Sequence, residues 1–424
     1  MQLVMRIAIV GAGVSGLVAA HLLHAAEHDV TLFEAGGYAG GHTNTVRVET
    51  DGGAWDVDTG FIVHNDRNYP AFRRLLARLG VATQPAEMSF GVSDAAGTFE
   101  YSGASPNGLY AQRRHLVTPW FQRMVADLVR FNREARALLR ELGDDPAHAG
   151  PSLRAWLEER RYSQPFVERL IVPQAAAVWS ADPRQLWSFP ARFLMEFFDN
   201  HGMLGFRDRP RWHAIAGGSK RYVEAIAGPL GARVRLSTPV RVIARHAGHV
   251  EVAPLRGEPE RFDHVVIAAH ADQALRMLAD PSDREHELLG AFPYQPNDVT
   301  LHTDRRLLPR RRRAWASWNY HLLDPDPGRP TVTYHMNRLQ SLRADRELLV
   351  TLNRDGDVRP EHVLRRLRYD HPVFTARGVA AQRRWHELDG VNRTSYCGAY
   401  WGWGFHEDGV VGALRACARF GGRL

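Results

Sequence analysis

The segment Arg6-Ile7-Ala8-Ile9-Val10-Gly11-Ala12-Gly13-Val14-Ser15-Gly16 runs from an apolar strand into a glycine turn. A second apolar run, Val30-Thr31-Leu32-Phe33, ends on Glu34. Each glycine answers a separate demand of a bound dinucleotide. Gly11 allows the tight turn from strand to helix, Gly13 lets backbone approach a pyrophosphate, and Gly16 lets the helix lie close on the sheet. The helix that begins here offers free N–H groups and the positive end of its dipole to phosphate. Glu34 stands where a carboxylate accepts ribose hydroxyls, and its charge repels an added 2′-phosphate. The order of strand, turn, helix, strand and acid therefore predicts FAD or NAD rather than NADP.

Working outward, the chain has 424 residues, enough for one or two sizeable cores. Its 44% hydrophobic and 24% charged residues describe a folded globular protein. No apolar run reaches the length of a bilayer span, and the first residues read as a strand rather than a signal peptide, so a cytoplasmic protein is expected. Cys397 and Cys417 are the only cysteines, too few for a disulfide scaffold or a structural metal site, and no metal is expected. The net charge of +7 is carried almost entirely by arginine, since Lys220 is the only lysine. Arg305, Arg306, Arg310, Arg311, Arg312 and Arg313 cluster around Leu307, Leu308 and Pro309. Such a mixture suits peripheral contact with an anionic membrane at its inner face, or a solvated loop. No nucleic-acid-binding motif accompanies the charge, so no nucleic acid is expected.

The glycine-rich stretch Gly36 to Gly41 and His42 extends the nucleotide unit to Asp58, Thr59, Gly60 and Phe61. From about Tyr69 to Asn200 the apolar residues fall mostly at helical spacing, punctuated by Pro119, Pro151, Pro165, Pro173, Pro183 and Pro190. A second nucleotide segment begins at Gly217-Gly218-Ser219, with strands expected over 234–236, 240–244 and 264–269. Extended segments at 298–303, 314–320, 331–336 and 348–352 suggest an antiparallel sheet, and a helix is expected over 409–420. The fold predicted is α/β: a Rossmann-like FAD-binding domain with an inserted substrate domain of antiparallel sheet plus helices. Residues 1–68, 211–290 and 385–424 form the first domain; residues 69–210 and 291–384 form the second.

The widely spaced set Gly11, Gly13, Gly16, Glu34, Ala35, Gly40, Gly41, Asp58, Thr59, Gly60, Gly217, Gly218, Pro239, Val240, Ile243, Glu407, Asp408 and Gly409 resembles the FAD-dependent amine oxidase and phytoene desaturase superfamily. Further runs, 200–204, 209–212, 217–219, 334–340 and 404–409, resemble a bacterial flavoprotein subgroup. That subgroup is linked with fatty-acyl phospholipid modification, such as cyclopropane or furan fatty-acid formation. The resemblance implies non-covalent FAD. It places Gly11, Gly13, Val14, Ser15 and Gly16 at the pyrophosphate, with Glu34 at the adenosine ribose and Val240 at the adenine. Ala35, Gly40, Gly41, His42 and Ala268 accompany them. Thr59, Gly60 and Phe61 would lie on the isoalloxazine, while Asp408, Gly409, Val410 and Val411 bring a helix start to its pyrimidine edge, with Gly404 also at the cofactor. Three departures bear on the chemistry. His42 stands where amine oxidases carry arginine, Ala399 where they carry an acid, and Lys220 opens a helix rather than holding a water near the flavin.

A flavin needs only a C–H or N–H bond held against it, so no catalytic side chain is demanded. His213, Trp212 and His64 are the candidates on the substrate side; each also reads as a packed or turn residue. Tyr396, Tyr400, Trp401 and Trp403 could cage a substrate nitrogen or could pack. Trp315, Trp318 and Tyr320 read as one strand face, lining a channel or a core. His406-Glu407-Asp408 reads as a helix start with Asp408 as N-cap rather than a metal cluster. The reading reached is an FAD oxidoreductase that abstracts hydride from a C–H bond of a lipid acyl chain, with a small-molecule or lipid substrate. An amine oxidase releasing peroxide, a double-bond isomerase and a non-enzymatic partner of a lipid methyltransferase remain as alternatives. The oligomeric state is not indicated.

Overall fold

A computed structural model of the chain describes residues 3–143, 150–179, 185–205 and 209–424. The opening strand Arg6–Val10 forms the middle of a five-stranded parallel sheet ordered Val234–Arg235, Asp29–Phe33, Arg6–Val10, His264–Ile267, Thr394–Tyr396. Strands buried on both faces read as continuous apolar runs, which is why they were visible in sequence. Ile7, Ile9, Val30, Leu32 and Val266 face the helices Val14–Ala25, Lys220–Leu230 and His406–Cys417. Ala8, Val10, Phe33, Val265 and Ile267 face the other way, onto the antiparallel strands Val240–Arg245, Val250–Pro254 and Glu260–Phe262.

A seven-stranded sheet makes the second layer, ordered Val363–Pro372, Tyr294–His302, Leu349–Leu352, Val332–His335, Trp318–Leu322, Phe90–Asp94, Glu100–Ser102. It is antiparallel except where Trp318–Leu322 runs parallel to Phe90–Asp94. The residues between 69 and 200 are thus not all helical. Phe90–Asp94 and Glu100–Ser102 are strands too short to interrupt the helical periodicity around them. The helix Pro70–Leu79 likewise departs from the division drawn after residue 68, because Phe72, Leu75 and Leu76 bury into the core of the nucleotide layer. Trp315 lies outside the strand face expected for it. It follows a short 3₁₀ turn and donates its indole N–H to the Pro309 carbonyl at 2.7 Å.

Prolines mark helix starts at Pro70, Pro119 and Pro165, where a missing N–H has no helical partner to lose. Pro173 does not end a helix. It sits near the start of Val172–Trp179, directly after a π-helical turn over Val167–Ile171. The wider turn shifts the hydrogen-bond ladder at the point where proline cannot donate. Pro183 lies outside the described residues.

Asp58 joins the layers. Fully buried, it accepts from Thr45 Oγ1 at 2.6 Å, Ser219 Oγ at 2.7 Å, Ser219 N at 2.9 Å and Gln340 Nε2 at 2.9 Å. The donors come from three separated parts of the chain. Asp58→Ala would strand several buried donors, each worth about 1–3 kcal/mol when unpaired. The variant is expected to lose roughly 3 kcal/mol or more, read as a lowered denaturant midpoint; an unchanged midpoint would contradict this role.

Candidate active site

The carboxyl ends of the parallel strands open into a cavity of about 2040 Å3. Ordinary small-molecule pockets hold about 300–1,000 Å3, so the space exceeds what one compact ligand fills. One half collects the strand ends, as expected for a doubly wound sheet. Gly11, Gly13, Val14, Ser15, Glu34, Ala35, Gly40, Gly41, His42, Thr59, Gly60, Phe61, Val240, Ala268 and Gly404 all line it. Gly16, Asp408, Gly409 and Val410 do not.

Those four residues act behind the wall. A Cβ on Gly16 would stand 1.8 Å from the Gly11 carbonyl oxygen, so its glycine serves the turn itself. A Cβ on Gly409 would meet Val14 Cγ1 at 2.6 Å and Ser15 Oγ at 3.0 Å, which makes it the place where the last helix crosses the first. Asp408 is the third residue of that helix, not its N-cap. Its Oδ2 accepts from Phe405 N at 2.9 Å, and burial pushes its carboxyl up to about 6. The helix start that reaches the cavity is Phe405 and His406 instead.

The residues fit an extended dinucleotide. A Cβ built on Gly13 meets no atom within 4 Å, so this backbone faces open space. Glu34 is held by two backbone donors, Ala12 N and Gly36 N, each at 2.7 Å. Each of its oxygens keeps a lone pair for a ribose hydroxyl. His42 packs between Tyr369 and His371, with ring centroids at 4.9 and 5.2 Å, and its buried Nε2 has no partner in the protein. Burial, then His371 and His270, holds His42 far below the ordinary histidine range, so it offers a neutral hydrogen-bonding group where an arginine would offer charge.

His406, expected as part of a helix start, forms a buried node. Its ring stacks on Phe61 at 3.5 Å between centroids, and Nε2 meets Thr43 Oγ1 at 2.9 Å and the Tyr222 hydroxyl at 3.1 Å. Burial, then His64, pulls it down to about 3, so the ring is neutral. Phe61 is thereby backed by a flat ring against the cavity. Glu407 points the other way and accepts from Ala71 N at 2.9 Å and Phe72 N at 2.8 Å, capping the helix Pro70–Leu79.

The other half of the cavity lies over the seven-stranded sheet. Trp318, Tyr334, Val299 and Leu352 rise from the sheet, and Leu128, Leu170, Ala177, Val178 and Trp179 face them from helices. Trp212 and His213 line the space on the strand Trp212–Ile215, which pairs with Val63–Asn65 so that His213 opposes His64. The two imidazoles stack at 5.7 Å; His64 is buried behind the wall, and burial followed by His213 holds it down to about 4. The Nδ1 of His213 is buried without a partner.

The four-aromatic block does not assemble as a cage. Tyr400 and Trp403 reach the cavity, but Tyr396 and Trp401 bury in the core beyond the parallel sheet, where the Tyr396 hydroxyl bonds Glu285. Lys220 pairs with Asp56 at 2.8 Å and does not line the cavity. Cys397 is buried, and the same burial pushes its thiol up to about 12.

With fold and cleft in place, comparison with known proteins fixes the class. Residues 14–419 match the family described as flavin containing amine oxidoreductase, and the chain belongs to that family of FAD-dependent oxidoreductases. AofH of Mycobacterium tuberculosis, provisionally named a flavin-containing monoamine oxidase, is 26% identical over 290 residues. That alignment takes in 65% of this chain and 59% of AofH, so the chain spans under two thirds of this relative's length. Cyclohexylamine oxidase from Brevibacterium oxydans shares the fold at 18% identity and a TM-score of 0.69, with 99% of each chain covered. A CLA-producing fatty acid isomerase from P. acnes does so at 17% and 0.69, with 98% of each covered. Among the described residues no helix is long and apolar enough to cross a membrane.

Proposed function

We propose that this oxidoreductase acts on a lipid acyl chain, removing hydride from an allylic or saturated C–H bond to give a desaturated or isomerised product. The observation that carries the reading is the wall of the second half of the cavity. Its side chains are mostly aliphatic and aromatic, and among the described residues the carboxylates that line the cavity on this side are Glu87 and, next to the His371 that packs on His42, Asp370. Glu87 is already paired with Arg338 at 2.7 Å and accepts from Ser89 Oγ at 3.0 Å. A cationic amine held against these apolar side chains would lose water with Glu87 already paired, whereas an acyl chain gains about 25 cal/mol for each Å2 of apolar surface buried.

FAD, when bound, supplies a two-electron acceptor, with oxygen or another acceptor taking the electrons onward in a net desaturation. The chain's own residues position the substrate and shield it from water. Gly11 to Ser15, Glu34 and Gly40 to His42 would hold the dinucleotide, and Phe61 on His406 would form a flat support beside it. His213, which lines the wall, is placed to take the proton that leaves along with the hydride in a desaturation. The fold also serves an enzyme named for a fatty acid and one named for cyclohexylamine, so both substrate classes fit its frame.

Anaerobic mixing with detergent-dispersed phospholipids is expected to bleach the flavin as the acyl chains lose two mass units, or to move a double bond with the flavin left oxidised. Bleaching by a panel of amines and by no lipid would overturn the reading in favour of amine oxidation.

A further inference from the structure

The arginine cluster divides in two once its surroundings are seen. Arg305 and Arg312 lie over the Trp315 ring at 5.5 and 5.4 Å, and Arg306 is bound to Asp304. Arg311 and Arg313 turn instead toward Arg113 and Arg114. Together with Gly97, Thr98 and Gln112, these four arginines line a separate surface hollow of about 480 Å3. Few acids face them. Glu100, buried beneath, accepts from the Arg311 side chain at 3.0 Å and from the backbone N–H groups of Arg310 and Arg311. Asp94 is occupied by Thr98. Among the described residues no carboxylate lines the hollow itself, so positive charge is left in excess. The buried His115 below registers the same field: burial, then Arg114, Arg169 and Arg311, hold it down to about 4.

Immediately after Arg113 and Arg114 the chain exposes two large apolar side chains, Leu116 at 54% and Val117 at 83%. Such residues are normal singly, but here they follow Arg114 of the basic hollow by two and three positions. Exposed Gly103 to Pro106 form part of that cavity's wall, and the short helix Pro106–Leu109 packs on the turn Arg312–Ala314. A Cβ on Gly108 would stand 3.2 Å from the Arg313 carbonyl oxygen.

We propose that this face docks on an anionic lipid bilayer, the four-arginine hollow taking a lipid phosphate while Leu116 and Val117 enter the interfacial layer. Guanidinium groups match phosphate oxygens in geometry as well as charge. Juxtaposed basic and apolar groups are what a bilayer surface rewards and a soluble anion does not. The proposal gives the acyl-chain reading its route, since the exposed part of the cavity wall at Gly103 to Pro106 leads into the helix that packs on the turn carrying Arg313, but its test is independent of turnover.

The test is co-sedimentation of the FAD-loaded protein with vesicles of phosphatidylcholine alone and of phosphatidylcholine mixed with phosphatidylglycerol. Binding is expected only to the mixture, weakening with salt. Arg114→Glu with Arg313→Glu should cut partitioning more than about tenfold. Leu116→Ser with Val117→Ser should also weaken it while leaving the salt dependence in place. Flavin content and circular dichroism confirm that each variant is folded. Equal binding to both vesicles, or wild-type binding by the charge-reversal variant, would overturn the proposal. Thermal protection by inorganic phosphate without sedimentation on any vesicle would assign the hollow to a soluble anion and overturn it too. Vesicle binding with no change in any acyl chain would sink the acyl reading alone. Turnover of dispersed lipid without vesicle binding would sink the docking alone.

Discussion

Gly13→Ala is expected to yield a folded protein that holds little or no FAD, whereas Gly16→Ala is expected to be unstable before any cofactor is added. The two glycines stand three residues apart in one turn, but their surroundings differ. Gly13 has φ −71° and ψ −176°, a conformation any residue adopts, and its Cβ would meet no protein atom within 4 Å. An alanine methyl there projects into the space lined by Gly11, Ser15 and Gly41, where the phosphates would approach backbone N–H groups. At Gly16 the added carbon would lie 1.8 Å from a backbone oxygen, so the strand and helix must separate. Forced overpacking of this kind against rigid backbone costs several kcal/mol. The check is flavin absorbance per chain together with melting of the cofactor-free proteins. Gly13→Ala retaining stoichiometric flavin would contradict the assignment. So would a cofactor-free Gly16→Ala that melts with wild type. Loss of FAD also removes its stabilisation by mass action, about 2.7 kcal/mol at a hundredfold excess over Kd, so the holo forms should separate further.

The second large effect is acid lability. Burial is the leading cause that holds His64, His201, His302 and His371 down to about 4, and His264 and His406 to about 3. The unfolded chain takes up a proton at each near pH 6.5, while the native chain does not until well below. Stability contributed by these neutral rings is therefore complete above pH 6.5 and falls as pH drops toward 4, by up to about 3 kcal/mol for each ring. Burial raises Asp58 and Asp408 to about 6, and these act in the opposite sense. A raised carboxyl is most stabilising when protonated, so the pair recovers stability as pH falls from 6 toward 3.8. Six rings outweigh two carboxyls, and a typical net stability is only about 5–15 kcal/mol. The holoprotein at saturating FAD should unfold cooperatively between about pH 6 and 4. Urea midpoints that stay level or rise from pH 7 to pH 5 would contradict this account.

The parts of the site carried by consecutive residues could be read directly. Gly11, Gly13, Glu34, Gly41 and Gly60 each show a backbone need or a charge that survives any tertiary arrangement, and the structure gathers them on one wall. What escaped the sequence depends on contacts across long separations. His406 gains its place from Phe61, Thr43 and Tyr222, more than 180 residues away in each case. Nothing in the pattern His-Glu-Asp distinguishes a ring stacked under an aromatic from one in solvent. The aromatic block near residue 400 failed as a cage for a related reason. Tyr396 ends a sheet strand, so alternation sends it behind the sheet while Trp403 turns forward. The short strands Phe90–Asp94 and Glu100–Ser102 were missed because five and three residues are too few to establish a period.

The π-helical turn at Val167–Ile171 bears on how the channel wall tolerates change in chain length. A turn of this kind absorbs one surplus residue while keeping the helix on either side in phase. Removal of a single residue within it would relax the turn to ordinary α-helix and leave Gln174, Ala177 and Val178 facing the cavity. The same deletion between Pro173 and Ala177 has no such slack to take up, and it would rotate the following side chains by about 100° around the axis. Two deletions a few positions apart would thus have opposite consequences for the shape of the cavity: one silent, the other turning a new set of side chains into it.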